Sequence, residues 1–123
     1  VGKFVIKKAG EGFMFNLWSA NGKVICTSQT YKDLASCKHG AESVKKNRNS
    51  KIEDQTVEGF KPVSNPKFEV YFDKAGKYRF RLVAMNGENI AASQGYTRKQ
   101  ACMNGIDSVR RNAEELNIVV EDE

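Results

Sequence analysis

Along the first half of the chain, apolar residues alternate with others. Phe4 and Ile6 come first, then Phe13, Phe15 and Leu17, the two-residue period of strands with one buried face. The second half repeats it with Phe68 and Val70, then Tyr78, Phe80 and Leu82. Glycines mark the turn after the first strand, Gly10 and Gly12 in one half and Gly76 in the other. Asn21-Gly22 and Asn86-Gly87 close the second strands and predict type I′ hairpins, in which both turn residues adopt φ > 0. Third strands are expected over residues 24–28 and 89–93. The period then changes. Leu34, Cys37, Ala41 and Val44 recur at helical spacing, as do Cys102, Ile106 and Val109. Asp33 is the expected N-cap of the first helix, and Thr97 with Gln100 forms a capping box for the second. Lys45-Lys46 and Arg110-Arg111 fall in the last turns, where cations complement the helix dipole. Asn47 and Asn112 suit the left-handed position that ends a helix. Fourth strands are expected over residues 51–57 and 117–121.

The two halves are copies. With Phe15 set on Phe80, thirteen of the thirty-three positions from 15 to 47 are identical without a gap. They include Leu17/Leu82, Asn21-Gly22/Asn86-Gly87, Ile25/Ile90, Ser28-Gln29/Ser93-Gln94, Tyr31/Tyr96, Cys37/Cys102, Gly40/Gly105, Ser43-Val44/Ser108-Val109 and Asn47/Asn112. Upstream, Lys3-Phe4 aligns with Lys67-Phe68 at a shift of 64 in place of 65, so one residue is inserted in the first turn. One domain over 1–123 is therefore expected, with repeat one at 1–58, a linker at 59–66 that holds Pro62 and Pro66, and repeat two at 67–123. Gly40 and Gly105 stand mid-helix, where glycine costs about 1 kcal/mol relative to alanine. The shared cost points to close approach of the helix to the sheet, with a functional hinge as the alternative.

Asn-Gly, then Ile, then Ser-Gln-x-Tyr, then a helix with Gly-x-x-Ser-Val-(Lys/Arg)-x-Asn resembles the YegP-like family of small uncharacterised bacterial proteins, over nearly the whole chain and twice. The resemblance implies an α+β fold of tandem β3-α-β repeats. These would form one antiparallel sheet with exchanged C-terminal strands and two helices packed on one face. It implies a monomer with an internal pseudo-two-fold axis, and no activity. Copy one departs from copy two at Lys32 (Thr97), Trp18 (Val83) and His39 (Asn104), which separates any sites the repeats once shared.

Composition narrows the functional classes. The 40% hydrophobic and 28% charged shares are those of a globular domain, and 123 residues suffice to bury roughly two-thirds of the unfolded surface. No apolar run approaches a membrane span, and nothing at the N-terminus reads as a signal peptide. Three cysteines without framework spacing favour free thiols and a cytoplasmic location. Of the net charge of +5, all lies in residues 1–64, with eleven Lys/Arg against six Asp/Glu; the rest balances at nine and nine. That is a mild field, well short of a dedicated nucleic-acid footprint.

No phosphate loop, nucleophile elbow or paired carboxylates are present, and Cys37-Lys38-His39 has no metal-ligand spacing. No catalytic residue, metal or cofactor is expected, and His39 should face solvent. Two groups remain as candidate binding residues. Ser28, Gln29 and Tyr31, with Ser93, Gln94 and Tyr96, either contact a ligand or build a strand-to-helix corner. Asn16, Trp18, Arg79 and Arg81, with Met14 and Val83, lie on the sheet face away from the helices. That face is either solvated or covered by the chain, or it meets a protein partner or, less readily, a nucleic acid. The expectation is a non-enzymatic binding or accessory module of the bacterial cytoplasm, its partner undefined. The alternative is a weak polyanion or nucleic-acid binder that uses Arg79, Arg81 and the basic first half (Lys7, Lys8, Lys45, Lys46, Arg48).

Overall fold

The computed structural model describes residues 2–121; Val1, Asp122 and Glu123, the ends of the expected domain, lie outside the described residues. Repeat one supplies β1 (Lys3–Ala9), β2 (Gly12–Trp18), β3 (Val24–Thr27), α1 (Leu34–Asn47) and β4 (Lys51–Asp54). Repeat two supplies β5 (Lys67–Phe72), β6 (Tyr78–Val83), β7 (Asn89–Ala92), α2 (Lys99–Asn112) and β8 (Ile118–Val120). All eight strands form one sheet in the order β4-β5-β6-β7-β3-β2-β1-β8. The fourth strand of each repeat lies beside the first strand of the other, so the C-terminal strands are exchanged. The sheet is mixed, however, and not antiparallel throughout. β4 runs parallel to β5 and β8 parallel to β1, while every interior pairing is antiparallel. At the centre the two halves meet through β3 and β7, where Thr27 opposes Ala92.

Alternation decides which face is buried. Phe4, Ile6, Phe15 and Leu17 from one repeat and Phe68, Val70, Phe80 and Leu82 from the other are wholly buried beneath the helices. Each contributes about 1.5–3 kcal/mol by leaving water. Phe4 meets Phe15 edge-on at 5.5 Å, and Phe68 meets Phe80 likewise at 6.0 Å. Both helices contact strands of both repeats, so the apolar layer is continuous. Cys26, Cys37 and Cys102 are unpaired and buried in it. His39 is exposed on α1.

Several local expectations change. Asn21 and Asn86 do not take positive φ; only Gly22 (84°) and Gly87 (87°) do. The Gly22 N–H donates to Ser19 O, and the Ser19 N–H to Lys23 O; Gly87, Ala84 and Glu88 repeat this pattern. The hairpins are thus three-residue loops in which glycine alone carries the left-handed step, and asparagine serves the turn with its side chain. Asp33 does cap α1, accepting from the Ser36 N–H at 2.8 Å. Thr97 does not cap α2, because the helix starts one residue later and Arg98, which has no acceptor, holds the N-cap position. Gln100 turns instead to Asn104. Asn47 and Asn112 are the last helical residues, not left-handed caps; each Nδ2 donates to the carbonyl four residues back, Ser43 O or Ser108 O, at 2.9 Å. The third and fourth strands end earlier than expected, at Thr27, Ala92, Asp54 and Val120.

Candidate functional site

The Ser-Gln-x-Tyr corners interrupt the ladder between the second and third strands of each repeat. Ser28 Oγ accepts from the Phe15 N–H at 2.8 Å and donates to Gln29 O at 2.7 Å. Ser93 Oγ makes the same two bonds with Phe80 and Gln94, at 2.9 and 2.8 Å. The serine hydroxyl thereby replaces a ladder partner where the strand bends away. Pairing resumes as Tyr31 and Phe13 exchange backbone hydrogen bonds, matched by Tyr96 and Tyr78. The tyrosine ring then slides under its own helix. A Cβ on Gly40 would collide with Tyr31 Oη and lie 2.6 Å from Cζ; on Gly105 it would lie 2.7 Å from Tyr96 Oη and 2.9 Å from Phe80 Cε2. The mid-helix glycines thus admit these tyrosines, and burial raises the pKa of both hydroxyls. Gln94 is exposed, and its amide makes no hydrogen bond to the described residues.

On the face away from the helices, the two repeats differ. Arg79 Nε donates to Asp73 Oδ2 at 2.6 Å and Nη1 to Ser93 O at 3.1 Å. Arg81 Nε donates to Glu69 Oε1 at 2.5 Å, and its guanidinium lies 4.3 Å from the centre of the Tyr71 ring. Both arginines therefore face carboxylates of their own chain. In repeat one, Asn16 Oδ1 accepts from Thr27 Oγ1 at 2.7 Å. Trp18 is half-buried, with Lys3 Nζ 5.9 Å above its ring and Nε1 enclosed without a hydrogen-bond partner among the described residues. Arg79 touches the corner of repeat two through Ser93 O, but the other three make no hydrogen bond to the corner residues.

One corner does meet a second feature. A cleft of about 750 Å³ opens where the β2–β3 hairpin of repeat one faces the corner and α2 of repeat two. Ser19, Asn21 and Lys23 form one wall, Gln94 and Tyr96 another, and Gly105, Ser108, Arg111 and Asn112 line the helix side. The walls are tied together where Asn112 Oδ1 accepts from the Ala20 N–H at 3.2 Å. Seven of the twelve lining residues are identical in the other repeat: Asn21, Ile25, Gln94, Tyr96, Gly105, Ser108 and Asn112. Of the sequence candidates, only Gln94 and Tyr96 lie here. Asn21, Lys23, Ser108, Arg111 and Asn112 were not singled out as site residues. Internal identity would have pointed to three of these, and no local motif to Lys23 or Arg111. No group of three or more His, Cys, Asp or Glu able to hold a metal occurs among the described residues.

Known proteins share this architecture. A domain of unknown function (DUF1508) matches the chain twice, over residues 8–54 and 73–119. A UPF0339 protein of Methanosarcina acetivorans is 57% identical over 54 residues, which is 44% of this chain but 93% of that protein, a single-repeat relative. The UPF0339 protein PA0329 of Pseudomonas aeruginosa is 38% identical over 117 residues, 94% of each chain. The solution structure of YegP from E. coli, a protein of unknown function, matches with a TM-score of 0.79 at 29% identity, over 98% of this chain and 92% of that one. With two copies of the domain and a near full-length match to a tandem relative, the chain belongs to the uncharacterised UPF0339 family in its two-repeat, YegP-like form.

Proposed function

We propose that the protein is a non-enzymatic binding module of the cytoplasm, a monomer with an internal pseudo-two-fold axis, which holds a small ligand in the cleft between hairpin one and α2. The observation that carries this reading is Gln94. Its partners in the repeated set have structural duties: core packing, turn geometry, the serine bonds of the corner, the tyrosine–glycine fit. Its counterpart Gln29 hydrogen-bonds Tyr31, whereas Gln94 stands exposed at the cleft wall with its amide unpaired among the described residues. A side chain that the fold does not employ is available for a ligand. Among the described residues, no helix is long and apolar enough to cross a membrane.

The polyanion reading finds less support. Arg79 and Arg81 are already engaged by Asp73 and Glu69, so a phosphate backbone would have to displace those carboxylates before it gained either guanidinium. Amide chemical-shift mapping of the labelled chain against a library of small metabolites tests the choice. Shifts should centre on Asn21, Gln94 and Ser108, and Gln94→Ala should weaken them without altering the melting temperature. Shifts centred on Asn16, Trp18 and Arg81 would overturn the cleft as the site.

A further inference from the structure

The two repeats carry identical residues at seven of the twelve positions that line the cleft but differ in the charges at the others. In the cleft described above, Lys23 stands on the hairpin and Arg111 on the helix, and no carboxylate of the described residues lines the space. Among the described residues neither cation forms an ion pair. The equivalent positions by repeat lie on hairpin two and on the corner and helix of repeat one, where the Ala20–Asn112 tie has no counterpart among the described residues. There Glu88 replaces Lys23 and Lys46 replaces Arg111.

We infer that the cleft of Lys23 and Arg111 takes a small molecule through an oxyanion group, phosphate or carboxylate, and that its pseudo-symmetric counterpart does not. The inference rests on the cleft being the binding site. Arg111 brings a planar fork of donors suited to two oxygens of one anion, and Lys23 brings a compact charge from the opposite wall. The Gln94 amide and Tyr96 hydroxyl add neutral donors between them. In the counterpart set, the Glu88 carboxylate stands where Lys23 would attract an anion and repels one instead. Duplication has thus left one set of lining residues in two electrostatic versions, of which one attracts anions.

Labelled full-length protein is titrated with sodium phosphate, sodium acetate and, as a neutral arm, glucose, all at constant ionic strength set with sodium chloride. Saturable shifts of the Lys23, Gln94 and Arg111 amides with phosphate or acetate are expected, and the two anion arms distinguish the preferred group. Lys23→Glu, a change at an exposed residue, should weaken that binding by about tenfold or more. Glu88→Lys should create a second set of saturable shifts at Gln29 and Lys46. Unsaturated shifts spread over Lys7, Lys8 and Lys61, or unchanged affinity in Lys23→Glu, would overturn the inference. Shifts at Gln94 with glucose but not with either anion would overturn the charge reading while the cleft stands as the site. No shift at Gln94 or Tyr96 in any arm would overturn both. Dispersed spectra of each variant verify that the fold is intact.

Discussion

Replacing Gly40 with alanine puts one methyl group where the Tyr31 ring already lies. The new Cβ would sit 2.6 Å from Cζ and 3.0 Å from Cε2, well inside van der Waals contact. The ring has little room to retreat, because it stacks at 6.4 Å on the buried Phe15 and its backbone is bonded to Phe13 on both sides. Overpacking of this kind costs about 1–3 kcal/mol. Against it stands the helical preference of alanine over glycine, about 1 kcal/mol. The balance is a loss of up to about 2 kcal/mol, which for a domain of this size lowers the melting temperature by up to roughly 10 °C. The sign should reverse once the ring is gone. In a Tyr31→Ala background the methyl group enters open space, and Gly40→Ala should stabilise by up to about 1 kcal/mol. The coupling between the two positions is then roughly 1–3 kcal/mol, the overpacking cost itself. Urea unfolding followed by far-UV circular dichroism for the four members of the cycle measures it. Equal effects of Gly40→Ala in both backgrounds, or a gain in the parent protein, would refute the account of the mid-helix glycines.

Three further outcomes follow from the same structure. Glu53 is buried, and hydrogen bonds from Lys67 first, then Gln55 and the Val63 N–H, hold its carboxyl at about 2 against an ordinary 4.5. A depressed carboxylate pKa stabilises the fold above 4.5 and loses that effect as the pH falls through about 2. Unfolding free energy should therefore drop by up to about 3 kcal/mol across that window, and by less in Glu53→Gln. Burial lifts the Cys26 thiol to about 12 and those of Cys37 and Cys102 to about 11, so a thiol reagent at neutral pH should label all three only as fast as the protein opens; rapid labelling of the native chain would contradict the packing. Residues 1–61 or 65–123 alone leave an edge without its exchanged strand and should be homodimers whose melting temperature rises with concentration, and a stable monomer by sedimentation would contradict strand exchange.

What the sequence disclosed and what it concealed divide along a physical line. Alternation places residues on a face, so the buried set from Phe4 to Val109 was readable, and internal identity revealed two copies of one unit. Alternation says nothing of strand direction. The exchanged strands β4 and β8 could have paired either way, and the path of the preceding helix and loop makes both edges parallel. Cap and turn chemistry were misread for a different reason: several residue types satisfy the same local rule. Thr97 fits a capping box by spacing, yet α2 begins a residue later; Asn21 fits a left-handed turn, yet Gly22 alone takes that step.

The candidate site was concealed for a deeper reason. Its walls come from residues 19–25 and 94–112, which only the assembled sheet brings together, so no spacing along the chain encodes it. By sequence the Ser-Gln-x-Tyr corner reads as either structure or ligand contact, and the structure divides the motif by residue. Serine completes a ladder and tyrosine fills the space left by a glycine, whereas Gln94 does neither. Identity between repeats therefore marks two constraints at once, and only accounting for every hydrogen bond separates them. Once the structural identities are removed, what remains at the cleft is one unpaired amide and two cations that the other repeat does not reproduce as a pair. The frame is what the duplication preserved, and the charges at Lys23 and Glu88 are where the two copies have been free to diverge.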